Sequence, residues 1–134
     1  MKTIGRMVLF LALISVPARG GDEHNHEAAV EPAPHGGTLR DSGDFKAELV
    51  LNGEVARLYV YNKQLKALAP EKDKLSGMLR FPKQKERKIE FKKAKEYYEA
   101  NLAGIAKVHR YDLHVNLEHG GKKALADFGI DNVH

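Results

Sequence analysis

The stretch Phe45 to Asn62, FKAELVLNGEVARLYVYN, constrains the fold more than any other part of the chain. Phe45, Ala47, Leu49 and Leu51 alternate with Lys46 and Glu48, the period of a strand with one wet face. Asn52-Gly53 follows, and both residues tolerate positive φ, which predicts a two-residue type I′ hairpin turn. The return strand places Ala56, Leu58 and Val60 on one face and Val55, Tyr59 and Tyr61 on the other. A hairpin of this kind is the seed of an all-β domain.

The remaining segments agree. Thr38 to Arg40 reads as a short edge strand, with Asp41 to Asp44 as a turn. Lys63 to Lys74, interrupted by Pro70, reads as a loop with a short extended piece at Leu65 to Leu68. Leu75 to Phe81 alternates and stops at Pro82. Arg87 to Lys93 turns Ile89 and Phe91 inward and Lys88, Glu90 and Lys92 outward. Ala94 to Ile105 fits a helical stripe or a strand, and the all-β surroundings favour the strand. Val108 to Leu117 alternates clearly, with Tyr111, Leu113, Val115 and Leu117 on one face. His119-Gly120-Gly121 forms a turn, and Ala124, Ala126 and Phe128 mark the last strand. These elements predict a small immunoglobulin-like antiparallel β-sandwich of about seven strands over residues 35–134, preceded by a disordered N-terminal tail.

The amino-terminal residues bear on where such a domain would work. Lys2 and Arg6, the apolar run MVLFLALISV and Ala18-Arg19-Gly20 read as a cleaved signal peptide over residues 1–20. The apolar run is too short to span a bilayer, so a periplasmic or secreted protein with no stable membrane anchor after cleavage is expected. The chain has 22 Lys+Arg against 18 Asp+Glu, but the first twenty residues hold three of the basic residues and none of the acids. Without them 19 basic residues face 18 acidic ones, a net charge of +1, and a nucleic-acid partner loses its electrostatic support. The absence of cysteine excludes a lipoprotein anchor, a disulfide framework and thiolate metal sites. Residues 21–34, GDEHNHEAAVEPAP, offer almost nothing to bury and read as a flexible tail rich in histidine and acids.

Covalent catalysis finds no candidate. After the signal the chain keeps Ser42, Ser76 and Thr38, none in a nucleophile-elbow pattern, and no phosphate-cradling glycine loop precedes a helix. Asp112 and Asp127 are acids that could meet across strands, but they read as residues of solvated strand faces. A non-enzymatic role is therefore expected. The histidines carry the remaining signal, because imidazole binds Cu²⁺, Zn²⁺ and Ni²⁺ without needing a reducing compartment. His24 and His26 lie two apart in the tail beside Asp22, Glu23 and Glu27. Cleavage after Gly21 would give an Asp22-Glu23-His24 terminus suited to square-planar Cu²⁺ or Ni²⁺. His35 opens the domain in His35-Gly36-Gly37, where the glycines read as a turn and His35 as a candidate ligand. His109 and His114 are the second-rank ligands, His119 a turn residue and His134 a chain end. Lys83 to Lys95 is strongly basic; it reads as a charged strand edge that deters edge-to-edge pairing, or as a surface for an acidic partner or lipid headgroups.

PHGGTL, a short turn, FKAELVL and then EVARLYVYNKQLKAL resembles a segment of small secreted bacterial proteins linked to heavy-metal efflux. It is also similar to the His-rich amino-terminal regions of periplasmic adaptor subunits of cation efflux pumps. In those sequences an HGG motif precedes a strand ending in Glu-Leu and a strand like LYVYD; here Asn62 stands where Asp is common. YYEANLAGIAKVHRYDLHVNLEHGGKKALADFGI resembles the closing strands of such domains, so the likeness covers most of residues 34–130. It implies a periplasmic all-β domain that handles Cu, Zn, Ni or Co, with a cation efflux pump component as partner. It carries over His35, Gly36 and Gly37, together with the tail residues His24 and His26. The chain lacks the helical hairpin and lipoyl-like halves of an adaptor, and Met78 is its one methionine after the signal, which argues against Cu(I) transport. The expected function is a divalent-metal accessory protein that captures, buffers or hands on its ion. The rival expectation is a non-catalytic envelope interaction module with incidental histidines.

Overall fold

The computed structural model describes residues 32–132. The expected signal peptide and tail over residues 1–31, with His24 and His26, and His134 lie outside the described residues. Eight strands follow in chain order: β1 (Thr38–Ser42), β2 (Phe45–Asn52), β3 (Val55–Asn62), β4 (Lys74–Arg80), β5 (Arg87–Lys93), β6 (Tyr98–Asn101), β7 (Arg110–His119) and β8 (Lys122–Asp131). All pairings are antiparallel, and the strands form one sheet in the order β1-β2-β3-β6-β5-β4-β7-β8.

The all-β, antiparallel expectation holds, but the seven-strand immunoglobulin-like sandwich is not the arrangement found. A sandwich needs two separate sheets, and β6 prevents that separation. Its four residues pair with Val55–Leu58 of β3 on one side, and its Tyr98 and Glu99 pair with Lys93 and Lys92 of β5 on the other. The sheet therefore runs unbroken and curls into a nearly closed barrel. Its two ends meet without a ladder: Ser42 Oγ of β1 donates to the Leu125 carbonyl of β8 at 2.5 Å. The ambiguous segment 94–105 resolves into a turn, the strand β6 and a single 3-10 turn at Ile105–Lys107.

Alternation decides what fills the interior. Phe45, Ala47 and Leu49 of β2 are buried with Ala56, Leu58 and Val60 of β3. Phe91 of β5 joins Tyr111, Leu113, Val115 and Leu117 of β7 and Ala126 and Phe128 of β8. Leu102 and Ile105, from the segment after β6, are buried in the same cluster.

The turns follow the glycines. Asn52 pairs with Val55, so the β2–β3 loop is Gly53-Glu54, one residue later than the expected Asn52-Gly53. Only Gly53 has positive φ there, at 64°, whereas a type I′ turn needs positive φ at both loop positions. That requirement is met instead between β7 and β8, where Gly120 and Gly121 have φ of 60° and 78°. The expectation that the basic run forms a sheet edge is corrected in part: β5 is not a terminal strand but lies in the order between β6 and β4, although its ladder to β6 covers just Lys92 and Lys93.

Candidate functional site

The most built polar cluster sits on the outer face of β2 and β3, where alternation alone puts side chains in water. Glu48 leaves β2 on that face beside Lys46, yet it is fully buried. What covers it is the HGG segment. The backbone N–H groups of His35 and Gly37 both donate to Glu48 Oε2 at 2.8 Å. Tyr61, from the outer face of β3, donates its hydroxyl to Glu48 Oε1 at 2.7 Å. His35 Nδ1 lies 3.0 Å from the same oxygen and 2.8 Å from the Tyr61 hydroxyl. Burial alone would raise the Glu48 carboxyl, but the bonds from Tyr61, Gly37 and His35 outweigh it and hold the group below its ordinary value. The Tyr61 hydroxyl is pushed far up, first by burial and then by the adjacent carboxylate.

The two glycines of the motif have different tasks. Gly36 has φ of 74°, and its N–H closes a turn on the Ala33 carbonyl at 3.0 Å. Gly37 passes so close to β2 that a Cβ there would lie 2.3 Å from the Leu49 carbonyl oxygen. Together they bring two amides onto one carboxylate and lay the His35 ring flat on Tyr59, with centroids 3.7 Å apart and planes at 12°. Tyr97 packs beyond Tyr59 at 5.3 Å, and the Arg57 guanidinium lies 4.8 Å from the Tyr97 ring centre.

This network fixes the His35 tautomer. Tyr61 already spends its proton on Glu48, and the ionised carboxylate offers only lone pairs. A proton on Nδ1 satisfies both contacts, whereas a lone pair there would face a carboxylate oxygen. In the neutral ring Nε2 is then the nitrogen with a free lone pair, on a side chain that is 43% exposed. A carboxylate bonded to the far nitrogen of an exposed imidazole is the outer-shell arrangement typical of metal-ligating histidines.

The other candidate residues are placed apart from this cluster. His114 stands opposite Asp127 in the β7–β8 ladder, and its Nδ1 contacts the Asp127 carboxylate. Asp127 thus meets His114, while Asp112 faces Gly129. His109 precedes β7 with an exposed side chain, and its carbonyl accepts from the Asn132 N–H at 2.7 Å. Among the described residues the hydrogen bonds and ion pairs of His35 and of His114 share no partner. The second HGG turn echoes the first, because a glutamate again grips it: Glu71 Oε1 accepts from the Gly120 N–H at 2.6 Å, and Oε2 is 3.7 Å from His119 Nε2. No group of three or more His, Asp or Glu placed to hold a metal ion occurs among the described residues.

Glu48, Tyr59 and Tyr61 are the site residues that reading the sequence missed. The available signal was one acid and two tyrosines at wet-face positions of a hairpin directly after HGG. Among the described residues no helix is long and apolar enough to cross a membrane. No family model, curated protein or solved structure matches the chain.

Proposed function

We propose that this protein captures a divalent transition-metal cation, Cu²⁺, Zn²⁺, Ni²⁺ or Co²⁺, in the periplasm or outside the cell. It would buffer the ion or pass it to a cation efflux system without catalysing a reaction. The observation that carries this reading is the Glu48–His35 pair: a buried carboxylate orients the ring through Nδ1 and leaves Nε2 as the free donor. His35 is thus the ligand with a support already in place. His114, with Asp127 on its Nδ1, ranks next, followed by His109. His24 and His26 enter on their spacing and on the resemblance. The resemblance to efflux-linked HGG proteins points the same way, as does the signal-like start.

Native mass spectrometry of the secreted protein with each of Cu²⁺, Zn²⁺, Ni²⁺ and Co²⁺ tests the proposal. One tightly held ion is expected. Its affinity should fall roughly tenfold or more in His35→Ala, and again in a His24→Ala/His26→Ala variant. Glu48→Gln, which keeps the ligand and removes its support, should cost about tenfold. An affinity no tighter than that of a scrambled tail peptide would end the metal reading.

A further inference from the structure

The basic run of residues 83–95 leaves two needs unmet at one place. The first is a ladder. β5 is paired with β4 from Arg87 to Lys92, but on its other side the ladder found among the described residues joins just Lys92 and Lys93 to Glu99 and Tyr98 of β6. Past that point β6 stays with β3 up to Asn101 and the chain turns to bury Leu102. Among the described residues no strand pairs with Arg87–Phe91 on that side. The wedge where β5 and β6 part holds a cavity of about 370 Å³ lined by Val55, Lys92, Ala94, Glu99 and Asn101 among others.

The second need is negative charge. Lys83, Lys85, Arg87, Lys88, Lys92, Lys93 and Lys95 are all exposed, and none of them forms an ion pair among the described residues. The two acids of the run do not help, because each is engaged by a cation outside it. Glu86 pairs with Arg80 at 2.5 Å and Glu90 with Lys74 at 3.7 Å. Arg87 lies over the Phe81 ring at 5.8 Å. On the outer face of β5 Glu90 stands between Lys88 and Lys92, but it is already engaged by Lys74 of β4, which leaves the two lysines without an acid of their own.

We infer that the free side of Arg87–Phe91 accepts an extended, acidic segment of a partner protein as an added strand. Backbone pairing along β5 would supply affinity, and acids at alternate positions would meet Lys88 on the outer face, with Lys92 flanking the end of the free stretch where β6 begins. Anionic lipid or nucleic acid would answer the charge but not the missing ladder, so a peptide fits both observations. The inference is independent of metal binding.

The test uses the full secreted chain and a labelled synthetic peptide of about eight residues that alternates Glu with Val, the period of an added strand. Fluorescence anisotropy should show binding that weakens by roughly tenfold in Lys88→Glu/Lys92→Glu and by less in Lys88→Gln/Lys92→Gln. Hydrogen exchange should show new protection at amides within Arg87–Phe91. The same peptide with alternate amides N-methylated should not bind. The inference is overturned if the N-methylated peptide binds equally well, or if protection appears on β1 or β8. It is equally overturned if phosphatidylglycerol vesicles, and not the peptide, capture the protein through these lysines. Thermal melts of the charge variants confirm that they remain folded.

Discussion

Tyr61 donates its hydroxyl to Glu48 Oε1 at 2.7 Å, joining two outer-face residues of neighbouring strands into a buried pair. The Tyr61 hydroxyl also lies 2.8 Å from His35 Nδ1. Tyr61→Phe removes one charge-assisted bond while keeping the ring. It should cost about 1.5–3 kcal/mol, the range for hydrogen bonds to charged groups. Urea denaturation of the variant beside the wild type measures this.

Acid should loosen the same latch. The Glu48 carboxyl is held below its ordinary value of 4.5 in the folded protein, so the unfolded chain binds more protons in acid than the folded one. Its contribution to stability is complete above that ordinary value and is lost as pH falls through the lower folded value. Stability measured by denaturant at successive pH values should therefore fall from about pH 4.5 downward. In Glu48→Gln the fall should be shallower from a lower plateau, because the group that titrates is gone. An unchanged slope would remove Glu48 as its source.

Gly37 is required for a reason of space. A Cβ at this position would sit 2.3 Å from the Leu49 carbonyl oxygen, which belongs to the β2 backbone and cannot swing away. Gly37→Ala should lift the HGG segment from β2 and cost about 1–3 kcal/mol, as overpacking does. It should also expose Glu48. The matched Gly53→Ala change separates this from turn strain, since nothing lies within 4 Å of a Cβ there. Thermal melts of both variants, with hydrogen exchange at the Gly37 amide, distinguish the two effects.

Tyr111 gives the opposite expectation. The residue is 1% exposed on the inner face of β7, and among the described residues its hydroxyl has no hydrogen-bond partner. Burial accordingly raises this hydroxyl above its ordinary value. Tyr111→Phe removes an unsatisfied buried group and keeps the packing against Phe81, so it should be neutral or stabilising by about 1 kcal/mol. A loss of stability in calorimetry would mean that the hydroxyl is satisfied in solution.

Alternation in the sequence was enough to determine the strands and their buried faces. Phe45, Ala47, Leu49, Leu58, Leu113 and Phe128 went inward because a period of two admits one arrangement against a single core. Within 94–105 only Tyr98–Asn101 became the strand that the all-β context favoured; the residues on either side form a turn and the start of a 3-10 turn. Tertiary structure alone decided how the strands join. Whether β6 pairs with one neighbour or two depends on contacts between residues far apart in the chain, such as Ala56 with Ala100, and no local period encodes them. The site was legible to the same extent. His35-Gly36-Gly37 announced itself by composition, and Glu48 announced itself only as a solvent-facing acid. Folding buried that acid, because Gly37 allows the backbone to lie on Leu49 and two amides then reach one carboxylate. Periodicity names the face a side chain leaves from. It cannot name what later covers that face, because the covering segment comes from elsewhere in the chain and is held by hydrogen bonds that exist only after folding.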